Sequence, residues 1–511
     1  LGEAGKQALE SYANQSAVDF FSEAITLDEG LRGSLDADRT RASWHRQLAE
    51  GCYSLIQWDD ARKHYEQAIQ LSGFRPPRFG VATTLEVLKH VASRYASRLV
   101  FGDPAKLTAE ERESCIEALR ACDNLQVVYL WQGNRLSLAH TVFEGANIAA
   151  RTGPSAESAF ARAMLGYLLA VAGMRGIAER DLRSALEMAE ASGQLLQRVS
   201  CNMYLGMTLS LFGRPREGIP YLEQADDLVS RLGAGLWKHR GKYMLAEPHL
   251  MIGNLEIAAD LFAACATISL SVEPPITGFA NAMVALCRIR QGSVDEAIKL
   301  IHGPQGIRLV RDNPIGLQLY NTLGALIEGY LWNGEWEKAL EAAREGVTIP
   351  ERGEDANGFF TGYNGHAAVA RLFLHLIEQR QAGGEGSEAL PPETELWRDA
   401  RRALKNFRKG TKLFPGAQAP YLLVEGLSRW LELRHDPALD SWRRCIAIAD
   451  ASAMPYEGAM ARYEMGRHAT DAGTRDRMLG EARDMFAKVG MPRYAERCDD
   501  ARRPTLSAAT R

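Results

Sequence analysis

Leu125, Leu165, Leu205 and Leu245 lie 40 residues apart, and Gly133, Gly173, Gly213 and Gly253 each follow their Leu by eight residues. Five residues beyond three of those glycines come Ala178, Gly218 and Ala258, then Leu182, Leu222 and Phe262, then Ala185, Ala225 and Cys265. These columns describe a helical hairpin. The Leu packs the inner face of a first helix, and the Gly ends that helix where the chain turns with positive φ. A small residue in the second helix lets the two backbones approach, and the residues that follow continue its apolar face at i, i+4 and i+7. Leu165-Gly166, Leu169, Gly173, Ala178, Leu182 and Ala185 make a complete tetratricopeptide-type unit.

The spacing recurs outside the strict period. Leu48, Ala61, Tyr65 and Ala68 form one unit, Val284, Gly292, Ala297 and Ile301 a second, and Tyr330, Gly334, Ala339, Ala343 and Gly346 a third. Weaker copies are Ala17, Phe21, Ala24 and Gly426, Ala438, Trp442, Cys445. The unit at Gly133 needs a one-residue slip to place Ala139, Phe143 and Ala146. The pattern predicts an all-α fold, an αα-hairpin solenoid with a tetratricopeptide-like superhelix, about ten hairpins and a repeat near 40 residues. Less distinct hairpins fall at 80–122, 358–412 and 455–488. Breaks are expected at Ser72–Gly80, Glu273–Gly278, Gly303–Gly316, Pro350–Gly358 and Ala382–Thr394. Residues 1–380 read as a repeat array, 381–394 as a flexible loop, 395–502 as hairpins continuing the array and 503–511 as a disordered tail.

Composition agrees. A chain of 511 residues is too long for one packed core, and 46% hydrophobic with 24% charged residues is that of a soluble globular protein. A net charge of −4 gives no drive toward nucleic acid or anionic membrane, and no apolar stretch is long enough to span a bilayer. The eight cysteines are dispersed, without a CxxC pair, as expected for reduced thiols in a cytoplasmic protein. Leu1 in place of an initiator Met, followed at once by a helical pattern, reads as a piece of a longer polypeptide.

Catalytic chemistry leaves no mark. The chain has no GxxxxGK[ST], HExxH, GxSxG or strand-borne GxGxxG, so no cofactor, metal or catalytic residue is expected. Asp60 and His64, four apart on one helix, are two ligands where a closed metal site needs four, and read as a surface pair. Glu247-Pro248-His249 and His435-Asp436 read in the same way, and Trp131, Trp332 and Trp442 fall at packing positions.

Several segments resemble the C-terminal helical region of bacterial multidomain proteins that join a class III adenylate/guanylate cyclase domain to an AAA-type or STAND-type ATPase and then to tetratricopeptide repeats. They are Trp44-His45-Arg46-Gln47-Leu48, Tyr363-Asn364-Gly365-His366-Ala367, Met454-Pro455-Tyr456-Glu457-Gly458, Glu464-Met465-Gly466-Arg467-His468 and Gly490-Met491-Pro492. In that family the cyclase and ATPase chemistry lies N-terminal to the repeats, so the resemblance implies no catalytic residue in this chain. It implies a sensor or scaffold arm that regulates an attached nucleotide-handling module. The alternative is a small-ligand (inducer) sensing domain of a STAND-type transcription regulator. Those often end in a helix-turn-helix, which Asp499 to Arg511 does not offer.

Two surfaces are candidates. Positions expected to line the inner face of the solenoid give Tyr167, Met203, Met207, Tyr243, Glu247, Met251, Glu328 and Trp332. They form an apolar, aromatic and Met-rich lining for a peptide or amphipathic helix, or, in a tightly wound superhelix, contacts between hairpins. The groove reading requires Tyr167, Met207, Tyr243 and Met251 to be partly exposed on one patch. Arg398, Arg401, Arg402, Lys405, Arg408, Lys409 and Lys412 recur at helical spacing as a cationic face. Such a face is either solvated or a dock for an acidic protein partner, including the attached cyclase/ATPase domain.

Overall fold

The computed structural model describes the chain except residues 12, 29–34, 56, 78–83, 85, 88, 90–106, 133, 233–234, 271–272, 313–315, 350–362, 384–385 and 504–511. Gly133 and part of the 80–122 hairpin thus lie outside the described residues. The described chain is all α-helix with short 3-10 turns. It divides into two compact units, Leu1–Leu205 and Gly206–Arg511.

The first unit holds α1 (Gly2–Glu10), α2 (Asn14–Asp28), α3 (Leu35–Ser54), α4 (Trp58–Leu71), α5 (Ala109–Trp131), α6 (Arg135–Thr152), α7 (Ala156–Val171) and α8 (Arg175–Ser192). Each helix packs on its sequence neighbour, as short connections require. In the α7–α8 hairpin, a Cβ on Gly166 would lie 2.7 Å from Leu182 Cγ. The Leu-Gly pair is therefore a close-approach device: the glycine makes the hollow that the large residue of the second helix fills.

The division falls within α9 (Leu195–Leu211). The second unit continues with α10 (Pro215–Leu232), α11 (Gly235–Met251), α12 (Leu255–Ser269), α13 (Pro274–Gln291), α14 (Val294–His302), α15 (Ile307–Asp312), α16 (Gly316–Trp332) and α17 (Trp336–Thr348). It ends with α18 (Tyr363–Ala382), α19 (Glu393–Leu413), α20 (Gln418–Leu431), α21 (His435–Ser452), α22 (Pro455–Arg467), α23 (Ala472–Lys488) and α24 (Pro492–Arg502). The expected break at Glu273–Gly278 is instead a helix start. Pro274 and Pro275 occupy the first helical positions, where a missing N–H costs nothing. The gap at Gly303–Gly316 holds the short helix α15.

The Leu column and the second-helix columns are in the core. Leu125, Leu165, Leu205, Leu182, Leu222, Phe262, Ala185, Ala225 and Cys265 are essentially inaccessible, and Leu245 is also buried. Gly173, Gly213 and Gly253 have φ of 82°, 78° and 81°. Each closes the same turn, with Met174, Arg214 and Asn254 N–H reaching back to Leu169, Leu209 and His249 carbonyls at 2.9 Å. The α20–α21 turn repeats it without glycine. Leu433, 81% exposed, takes φ 60°, and Arg434 N–H donates to Arg429 O at 2.9 Å. Leu433 precedes Ala438 by five residues, the spacing of the glycine column.

Candidate functional site

Among the expected groove residues, Tyr167 on α7, Met203 and Met207 on α9, Glu247 and Met251 on α11 and Glu328 on α16 are buried. Tyr243 and Trp332 are half-buried. The exposure expected of an open groove is therefore absent from Tyr167, Met207 and Met251. The physical reason is visible in neighbouring rings and turns. Tyr167 packs on Tyr204 with centroids 5.6 Å apart, and Tyr243 meets Phe279 edge-on at 5.5 Å. Within the second unit the later hairpins cover the earlier ones. Trp332 stands edge-on to Tyr494 of α24 at 4.9 Å, and Met251 Cε approaches the Gly416 turn. Lining residues at helical spacing have become hairpin-to-hairpin core.

The cationic face is on α19, whose opposite face buries Leu396, Ala400, Ala403 and Phe407. The predicted set divides in two. Arg398 and Arg402 lie beside buried Asp399, at 3.1 and 3.6 Å, and Arg398 also reaches Glu395 at 4.0 Å. Arg401, Lys405, Arg408 and Lys409 are exposed at i, i+4, i+7 and i+8. Arg401 lies 5.5 Å over the Trp397 ring, and among the described residues the ion pairs made by cations of this helix are those of Arg398 and Arg402, none of these four having a carboxylate within ion-pair distance. The side chain of Lys412 lies outside the described residues.

A third arrangement, buried in the second unit, was not assembled from sequence. Arg290 (α13) donates from Nε to Glu328 Oε1 (α16) and from Nη2 to Asn364 Oδ1 (α18), each at 3.3 Å. Tyr494 donates its hydroxyl to Glu328 Oε1 at 2.6 Å. Arg371 donates to Tyr456 OH (α22) at 2.6 Å and lies 3.9 Å from Glu328 Oε2. The Arg290 guanidinium also lies 4.1 Å over the Tyr456 ring. Burial would raise the Glu328 carboxyl, but Arg290 and Arg371 hold it below its ordinary value, so it is ionised. Beside it Glu457 is pushed up to about 7, by burial first, with only partial relief from Arg290. Arg290, Glu328, Asn364, Arg371, Tyr456 and Glu457 line a cavity of ≈ 20 Å³.

Glu328 stood among the groove positions, but nothing in spacing tied it to Arg290, 38 residues away, or to Tyr494, 166 away. One signal was present. The Tyr363–Ala367 and Met454–Gly458 segments that carry the family resemblance supply Tyr363, Asn364, Tyr456 and Glu457 to this one cavity.

The remaining sequence candidates make local contacts. Asp60 pairs with Lys63 at 2.9 Å, while His64 Nδ1 lies 3.0 Å from His45 Nδ1. His435 stacks on Trp430 at 4.1 Å, and Trp442 is fully buried with its indole N–H on Leu423 O. The Trp131 side chain lies outside the described residues. All eight cysteines are buried free thiols. Among the described residues no three His, Cys, Asp or Glu are placed to hold a metal, and no helix is long and apolar enough to cross a membrane.

No protein-family model matches the sequence, and no curated protein matches it. Among solved structures the chain is similar to a Rap protein complexed with competence and sporulation factor, with 12% identity, a TM-score of 0.45, and coverage of 79% of this chain and 99% of that one. It is also similar to the Rap conjugation gene regulator of plasmid pLS20 in complex with the Phr* peptide, at 12% identity and a TM-score of 0.42, covering 72% and 96%. Yeast Tom70 aligns at 11% identity and a TM-score of 0.37, covering 98% of each chain.

Proposed function

We propose that the chain is a non-catalytic interaction arm that docks an acidic protein segment on the cationic face of α19. The observation that carries this reading is the row Arg401, Lys405, Arg408 and Lys409, exposed on one helix face with no carboxylate of the described residues beside it. Their neighbours Arg398 and Arg402 have Asp399, so local neutralisation is available on this helix and these four do without it. Aligned, uncompensated charge favours a partner of opposite sign by faster encounter and fixed register. Following the sequence resemblance, the acidic segment belongs to a cytoplasmic nucleotide cyclase or ATPase module, attached or separate, that this arm regulates. The alternative, an inducer-sensing domain, is less well supported. Small-molecule pockets run to about 300–1,000 Å³; the buried cavity bounded by Arg290 and Glu328 has only ≈ 20 Å³, and a recess of that size, ≈ 400 Å³ beside Trp336, Leu340, Arg344 and Pro391, is open to solvent.

The test uses a fluorescein-labelled glutamate-rich helical peptide and fluorescence anisotropy at low and high salt. The Arg401→Glu/Lys405→Glu double variant is expected to weaken binding at least about tenfold at low salt, with the difference shrinking as salt screens it. Equal affinity of wild type and variant at low salt refutes the docking face.

A further inference from the structure

The cluster around Glu328 brings two guanidinium groups, Arg290 and Arg371, to one firmly ionised carboxylate, Glu328. Buried like charges of that kind need a balancing charge nearby, because interior attraction is strong and unpaired charge is costly. The second carboxyl in reach, Glu457, is 4% exposed. Arg290 uses only Nε and Nη2 in its hydrogen bonds to the described residues. Asn364, 8% exposed, accepts from Arg290 through Oδ1, and its amide Nδ2, near the Tyr363 hydroxyl, makes no hydrogen bond of full geometry. Surplus donors and surplus positive charge thus face one ≈ 20 Å³ cavity. That is room for a particle of about the size of a water or a small ion.

We infer that this cavity is a binding site for one small monovalent anion of halide size, held by Arg290 and Arg371 and by the Asn364 amide. Arg371 keeps 19% of its side chain exposed, which gives the ion a way in from solvent. Water would satisfy Asn364 but not the charge; an anion does both.

Occupancy is coupled to Glu457. Its ionised form supplies the missing negative charge from within, so the anion and the Glu457 carboxylate are alternatives. Glu457 is faced by Arg290 from α13, Glu328 from α16, Tyr363 and Arg371 from α18 and Cys445 from α21. Tyr494 enters from α24, whereas α20 lines the cavity with Pro420, Leu423 and Val424, and α23 turns Met485 toward Gly458. The titration of Glu457 near 7 follows from burial against this set and places the exchange near neutral pH.

The experiment replaces gluconate by chloride at constant ionic strength on the full chain, read as the melting temperature and as chloride-35 NMR line broadening. Wild type is expected to be stabilised by chloride at about pH 6, with apparent affinity about thirtyfold weaker at about pH 8.5, because only the fraction with neutral Glu457 binds. Bromide is expected to act like chloride. Asn364→Leu should bind chloride at least about tenfold more weakly, and because it also removes the acceptor of Arg290 Nη2 its melting temperature in gluconate should fall, so the chloride-dependent shift within the variant is what is read. Glu457→Gln should bind at both pH values alike, and it decides the matter should Asn364→Leu fail to fold. The proposal is overturned by a chloride response absent at about pH 6, by one equal in wild type and Asn364→Leu, or by one in Glu457→Gln that still fades with pH. Acetate acting more strongly than chloride would also overturn the halide assignment.

Discussion

Replacing Gly218 by Ala, with Gly176→Ala as its counterpart, isolates the close approach on which the hairpin rests. On α10, a Cβ at Gly218 would lie 2.3 Å from Gly206 O and 2.8 Å from Ser210 Oγ. The obstructing oxygen belongs to the backbone of α9 and already accepts the Ser210 hydroxyl at 3.0 Å. Ordinary contact begins near 3.4 Å, so α9 and α10 must part by about 1 Å at this point. Overpacking of that kind costs about 1–3 kcal/mol, and the better helix propensity of Ala returns up to about 1 kcal/mol. The net expectation is a loss of about 1–2 kcal/mol. At Gly176 the same added methyl meets nothing within 4 Å, so the propensity term acts alone and the variant gains up to about 1 kcal/mol. Denaturant unfolding gives the two signs. Hydrogen exchange resolved to α9–α10 shows whether the Gly218 loss is local or spreads to the later hairpins that meet the Gly213 turn. A Gly218→Ala protein as stable as wild type, or both variants changing in the same direction, refutes the close-approach reading.

Leu433→Gly removes a left-handed backbone penalty at a side chain that is 81% exposed, so stability should rise by about 1 kcal/mol. A lower unfolding midpoint would mean that Leu433 contributes packing the structure does not display. For Glu457, the folded-state carboxyl titrates near 7 against an ordinary 4.5, so the folded chain holds this proton more tightly than the unfolded chain. That contribution is fully present below about pH 4.5 and is lost as pH rises to about 7, amounting to roughly 3 kcal/mol. Relative to wild type, Glu457→Gln should therefore gain stability between about pH 5 and pH 8 in chloride-free buffer, whereas parallel stability profiles would place the Glu457 titration elsewhere.

The amino-acid sequence by itself determined the hairpin. The 40-residue columns of Leu, Gly and small residues encode local requirements: a buried face, a positive-φ turn, a narrow crossing. Each is satisfied within one or two neighbouring helices, so Leu165, Gly173, Ala178 and Leu182 stand where their spacing put them. Even the Leu433 turn obeys the column, although without glycine the composition did not mark it. The cationic row on α19 was legible for the same reason, being a property of one helix. Its division into Arg398 and Arg402 beside Asp399 and four cations with no carboxylate partner among the described residues depended on side-chain directions that spacing does not specify.

Only the tertiary structure decided which inner-face residues remain open. Whether Met251, Glu328 and Trp332 line a groove or become core depends on how later hairpins return over earlier ones within the Gly206–Arg511 unit. That return is the sum of small rotations at each hairpin, which no single spacing encodes. It brings Tyr494 to Glu328 across 166 residues and joins Arg290, Asn364, Arg371 and Glu457 around one cavity. A polar residue on a helical stripe reads the same in sequence whether it will face water or a buried guanidinium, because its charge environment exists only once the distant helices have packed.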